Sequence, residues 1–102
     1  MPLIIDNSSE IPILKLQGDL DISTINSFKE NLIKFILEGH TSIISDLSEL
    51  EYLDCSGLGL FLSASFSLNN LGGSLTLRNP QIQVKDLFDS TQITKKLNIE
   101  EV

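Results

Sequence analysis

The chain is short of the residues from which most catalytic and metal centres are built. Among 102 residues there is one histidine, His40, one cysteine, Cys55, and no tryptophan. A lone thiol excludes an internal disulfide, and one Cys with one His does not make a ligand set, so neither metal nor cofactor is expected. Positive charge is scarce as well: seven basic residues stand against 14 acidic ones, for a net charge of -7. That balance argues against nucleic acid and against an anionic membrane as partners, and favours a basic counterpart. No apolar run reaches the roughly 18 residues of a membrane span, and "LGLFLSASFSL", Leu58 to Leu68, is both shorter and dotted with serines. Membrane insertion is not expected. The opening "MPLIIDNSSE" lacks a cationic segment followed by an apolar one, so the expected compartment is the cytoplasm.

What is present suits one small folded domain. Apolar residues make up 41% of the chain, enough for a single core, and no repeat, low-complexity tract or long linker divides it. A single domain over residues 1–102 is expected. "PLII", Pro2 to Ile5, and "IPILKLQ", Ile11 to Gln17, read as strands joined most simply as an antiparallel hairpin. In "ISTINSFKENLIKFILEG", Ile25, Phe28, Leu32, Phe35 and Ile36 recur at the spacing of one helical face, with Asp21 or Ser23 as cap and Gly39 as stop. "SIISDL", Ser42 to Leu47, suits a buried strand. "LDCSGLGLFLSASFSL", Leu53 to Leu68, reads as a second helix ending at "NNLGG", whose glycines turn into a strand "SLTLR", Ser74 to Arg78. Asn79 and Pro80 signal a third helix as N-cap and first helical residue, and a helical piece at Thr91 to Leu97 closes the chain. The expected fold is α/β: a small mixed β-sheet with about four helices packed mainly on one face.

The chemistry concentrates in "LDCSGLGL", where Ser56 stands between Asp54 and a Gly-Leu-Gly. A serine nucleophile needs a base, and the one histidine lies in the turn after the first helix; the glycine of a nucleophile elbow is also missing two positions before Ser56. The two glycines match neither the dinucleotide spacing nor a Walker-type run ending in lysine. Two readings remain. Ser56 is an N-cap and nothing more, or its hydroxyl, with little side-chain bulk at Gly57 and Gly59, is displayed for another protein to modify. Cys55 reads as a small packing residue rather than a redox thiol, and His40 as a solvated turn residue. The wide apolar surface of the second helix, including Leu58, Phe61, Leu62 and Leu68, reads as a buried face.

"SDLSELEYLDCSGLGLFL", Ser45 to Leu62, resembles the signature of the STAS domain of bacterial anti-sigma factor antagonists. "LQGDLDIST" is similar to that family's Gly-Glu-Leu-Asp loop, and "NLGGSLTLRNPQIQVKDLFDSTQI" to its Gly-Gly strand and Asn-Pro helix. The resemblance spans nearly the whole chain. It implies phosphorylation at Ser56, with Asp54 and Asp21 at the partner contact and Cys55, Gly57 and Leu58 beside them. It implies a partner that is both anti-sigma factor and serine/threonine kinase, bound by the unphosphorylated form so that a sigma factor is released. Phosphorylation would switch binding off and a serine phosphatase would restore it, making the chain a substrate and not an enzyme. The sequence departs from the family pattern in places: Asp19 stands where glutamate is usual, Cys55 where a small hydroxyl residue is frequent, and Gln92 in place of a glycine. The alternative is a STAS-like scaffold or subunit of a stress-signalling or lipid-transport complex with no phosphorylation cycle. A small hydrolase ranks last.

Overall fold

Alternation of side chains along three strands sets the architecture. In the computed structural model, which describes residues 3–6, 10–91 and 96–102, the elements run β1 (Leu3–Asp6), β2 (Ile13–Leu20), α1 (Ile25–Leu37), β3 (Ser42–Leu53), α2 (Cys55–Asn70), β4 (Ser74–Arg78), α3 (Ile82–Ser90) and β5 (Asn98–Glu100). The five strands form one sheet in the order β1-β2-β3-β4-β5, with the first pair antiparallel and the other three parallel. Leu14, Leu16 and Leu20 of β2, Ile43 and Leu47 of β3, and Leu75 and Leu77 of β4 are buried on one face. The helices cover that face with Phe28, Leu32 and Phe35 from α1, Phe61 and Leu68 from α2, and Val84 and Phe88 from α3. Phe61 meets Phe28 and Phe88 edge to face at centroid separations of 5.7 and 6.4 Å, so one ring joins all three helices.

The opposite face carries the alternate residues, Ile4, Ile13 and Ile44 among them, together with a charged row. Lys15, Asp46, Arg78 and Glu100 are successive partners across four strands, a row of alternating sign. Arg78 pairs with Glu100 at 3.0 Å, while Lys15 turns to Glu49. Helices on one face and charges on the other make the mixed sheet expected from the sequence.

Four details differ from that expectation. Three α-helices are present among the described residues, not about four; the piece expected at Thr91 to Leu97 falls mostly on 92–95, outside the described residues. Asn98–Glu100, not anticipated, forms a strand beside β4. β3 runs on to Leu53, because its pairing with β2 slips twice: Lys15 and Gln17 oppose Asp46 and Glu49, and Gly18 and Asp19 oppose Leu50 and Tyr52. Each slip adds a residue to β3, and these bulges let Leu47, Leu50 and Leu53 all face inward although they stand three apart. α3 starts at Ile82 with Gln81 in the cap position, later than Asn79 and Pro80 suggest. Asn79, at φ 54°, is instead a turn: its N–H donates to the Glu100 carbonyl and its Oδ1 accepts the Val102 N–H, both at 2.8 Å. The side chain that looks like a cap holds β5 in place.

Ser45 sits in the middle of β3, fully buried, and its hydroxyl has no hydrogen-bond partner among the described residues. A buried hydroxyl left unpaired keeps its desolvation penalty, so Ser45→Ala is expected to raise stability by about 1 kcal/mol. Urea unfolding of the two proteins checks this; a loss of that size would show that the hydroxyl is satisfied in solution.

Candidate functional site

β2 and β3 end side by side, Leu20 opposite Leu53, and the loops into α1 and α2 leave from this one edge. Asp54 joins them. Its N–H donates to the Leu20 carbonyl at 3.2 Å, its Oδ1 accepts the Gly57 N–H at 3.1 Å, and its Oδ2 accepts the Ile22 N–H at 3.3 Å. One carboxylate therefore caps α2 and fastens the α1 loop to it. Ser56 is not the cap, against one of the two readings of its sequence; it is the second residue of the helix and half-buried.

Asp21 does not cap α1 either. Its Oδ1 accepts the N–H of Ser23 at 2.9 Å and the Ser23 hydroxyl at 2.6 Å, and its carbonyl accepts from the N–H groups of Thr24 and Ile25. This is an Asx turn leading into the helix, with Thr24 at the cap position. The Ser23 hydroxyl, with further help from the Ser23 and Thr24 N–H groups and the Thr24 hydroxyl, holds the Asp21 carboxyl below the usual range against a smaller effect of burial. Asp21 is thus a fixed negative charge on a loop tied to the start of α2 through Ile22 and Asp54.

The glycines differ in role. A methyl group at Gly57 would lie 2.4 Å from Leu53 Cδ1 and 2.9 Å from the Leu20 carbonyl oxygen, whereas one at Gly59 would meet nothing within 4 Å. Gly57 lets α2 begin directly against the strand ends. Gly57 and Leu58, expected at the partner contact, are buried and pack the helix start against the strand ends. Cys55 corrects the sequence reading in the other direction: it is exposed at the first helical residue and is no packing residue. Beside it Ile22 is 71% exposed, a large apolar side chain in a loop otherwise polar. The sequence reading passed over Ile22, which lies one step of three before Ile25; its place between Asp21 and Ser23, ahead of the helix start, was the available signal.

His40 precedes β3 and Ser56 follows it, so the length of the sheet separates them; the imidazole lies edge-on to Phe35 at 5.6 Å. The base that hydrolysis would require is not beside the serine. Among the described residues no group of three or more His, Cys, Asp or Glu is placed to hold a metal ion, and no helix is long and apolar enough to cross a membrane.

The sequence and the fold have known counterparts. An anti-sigma-B factor antagonist of Staphylococcus epidermidis is 28% identical over 88 residues, covering 86% of this chain and 82% of that one. The anti-sigma factor antagonist SpoIIAA in its unphosphorylated form superposes with a TM-score of 0.84 at 21% identity, over 99% of this chain and 88% of the other. The Bacillus cell fate determinant SpoIIAA in its phosphorylated form gives 0.78 at 22% identity, over 99% and 91%. The STAS domain model matches residues 3–102, which takes in the whole sheet, all three helices and the Asp54-capped helix start. On that match the chain belongs to the STAS domain family.

Proposed function

We propose that this protein is an anti-sigma factor antagonist that binds an anti-sigma factor through the edge built from Asp21, Ile22, Asp54 and the start of α2. The observation that carries the reading is the Asp54 carboxylate, which locks two loops into one surface and leaves Ile22 and Cys55 exposed on it. The names of the relatives support it. In the finer form of the proposal the partner is also a serine/threonine kinase, Ser56 is its substrate, and a serine phosphatase reverses the change. A phosphate on the second residue of α2 would lie within the first turn, where the helix dipole favours negative charge.

One observation favours a second reading. At the helix start Cys55 is exposed, while Ser56 is half-buried. A thiol is no substrate for a serine kinase, and if the exposed position is the one a kinase reaches, binding is constitutive, as in the scaffold alternative.

Incubation with ATP and an anti-sigma factor kinase, followed by mass mapping, separates the two. The switch predicts a single phosphate on Ser56, lost in Ser56→Ala. The constitutive reading predicts no phosphate on the wild type and a new one on Cys55→Ser. Failure of any anti-sigma factor to bind the wild type would overturn both.

A further inference from the structure

Among the described residues the sheet is covered by helices on one side only. All three pack on the face of Leu14, Ile43 and Leu75, although three of the four strand pairings are parallel, and parallel sheets are as a rule buried on both faces. The uncovered face is apolar in part. Ile13 and Ile44 are direct partners on β2 and β3, both half-buried, and Ile4, 48% exposed, stands on β1 opposite Lys15. Two residues further along β2 and β3 comes the charged row, in which Lys15 is opposite Asp46 and Asp46 opposite Arg78. Asp46 has a cation on each neighbouring strand and forms an ion pair with neither.

We propose that two copies of this chain meet through this face, related by a two-fold axis that runs along the strands between β2 and β3. Such a rotation keeps the strands of the two sheets aligned, as stacked sheets are to within about 30°, and lays β2 of one copy over β3 of the other. Ile13 then faces Ile44 and Lys15 faces Asp46, each contact made twice, while Ile4 lies against the apolar stem of Arg78. The alternation of sign selects this axis. A two-fold across the strands, centred on the row, would set Lys15 on Lys15 and Asp46 on Asp46. An axis between β3 and β4 would match the charges but put Ile44 on Thr76 and Ile13 on Asn98, with no apolar pair at its centre. Four strands at about 4.8 Å spacing give a patch about 19 Å wide, the size of a reversible contact rather than an obligate one. The strands of both copies point the same way, so the two Asp54 edges lie at one end of the dimer. The pairing does not depend on the antagonist reading.

Sedimentation equilibrium of the wild-type protein from micromolar to millimolar concentration is expected to show monomer and dimer in exchange; a monomer throughout would overturn the proposal. Lys15→Glu and Asp46→Lys each set like charges against each other in the dimer, and each is expected to weaken association by about tenfold or more. An equimolar mixture of the two variants is expected to associate as the wild type does, because the exchanged charges meet their opposites only in the mixed pair. Wild-type association in both single variants, or no recovery in the mixture while each variant melts as the wild type, would overturn the pairing. Should either variant unfold, Ile44→Thr, which keeps a β-branched residue in the strand, decides: weaker association is expected, and unchanged association would overturn the face.

Discussion

Gly73→Ala is expected to destabilise the protein by about 4 kcal/mol or more, a large share of the roughly 5–15 kcal/mol that holds a domain folded. A methyl group at Gly73 would sit 1.7 Å from the Thr41 carbonyl oxygen and 2.3 Å from its carbon. These are backbone atoms and have no rotamer to escape into. That same carbonyl accepts the Ser74 N–H at 3.0 Å, and Ser42, the next residue, is the first β3 partner of β4. Relief of the clash would therefore part the two central strands at their start. Gly59→Ala, which meets nothing, is expected to gain about 0.5–1 kcal/mol, the difference between the two residues in a helix. Urea unfolding of both variants checks the pair. A Gly73→Ala protein of near wild-type stability would mean that α2 and β4 join differently from the arrangement described here.

Ser56→Asp is expected to leave the thermal midpoint within a few degrees of wild type while lowering affinity for an anti-sigma factor by about a hundredfold. The fold tolerates the charge, because the first turn of α2 has unpaired N–H groups and no acidic side chain of its own. The partner does not, because a surface made for a neutral hydroxyl would meet a carboxylate next to Asp54 and the loop of Asp21; a misplaced charge across an interface is worth several kcal/mol. Nothing local compensates, since the segments that build this edge contain no basic residue. Titration calorimetry together with a melting curve decides the matter. Unchanged affinity would argue for constitutive binding, and loss of affinity through unfolding would show that the half-buried position cannot hold a charge.

The parts legible in the sequence are those governed by one regular period. The α1 face of Phe28, Leu32 and Phe35 and the alternation of Ser74 to Arg78 appear as read. β3 appears as read over Ser42 to Leu47 but not beyond, because its bulges replace alternation with Leu47, Leu50 and Leu53, a spacing that belongs to no regular strand. Capping was misplaced wherever two candidates stood close together. Asp54 and Ser56 both suit a helix start, and only the approach of Gly57 to Leu20 and Leu53 decides between them. Asn79 before Pro80 carries the residue types of a cap, but its hydrogen bonds go to Glu100 and Val102, whose proximity no local rule reveals. The site residues Asp21 and Asp54 were visible as charges. Their connection through the Ile22 N–H, a backbone group, was not.

The sheet is laid down in the order of the chain, each strand pairing with the one before it. Synthesis from the N-terminus therefore offers every emerging strand an edge that is already built, beginning with the hairpin of β1 and β2. No strand has to wait for a later one to be inserted between it and its neighbour. The same order leaves β5, three residues long, on an outer edge of the sheet, while the Asp54 edge lies between two inner strands that are paired early.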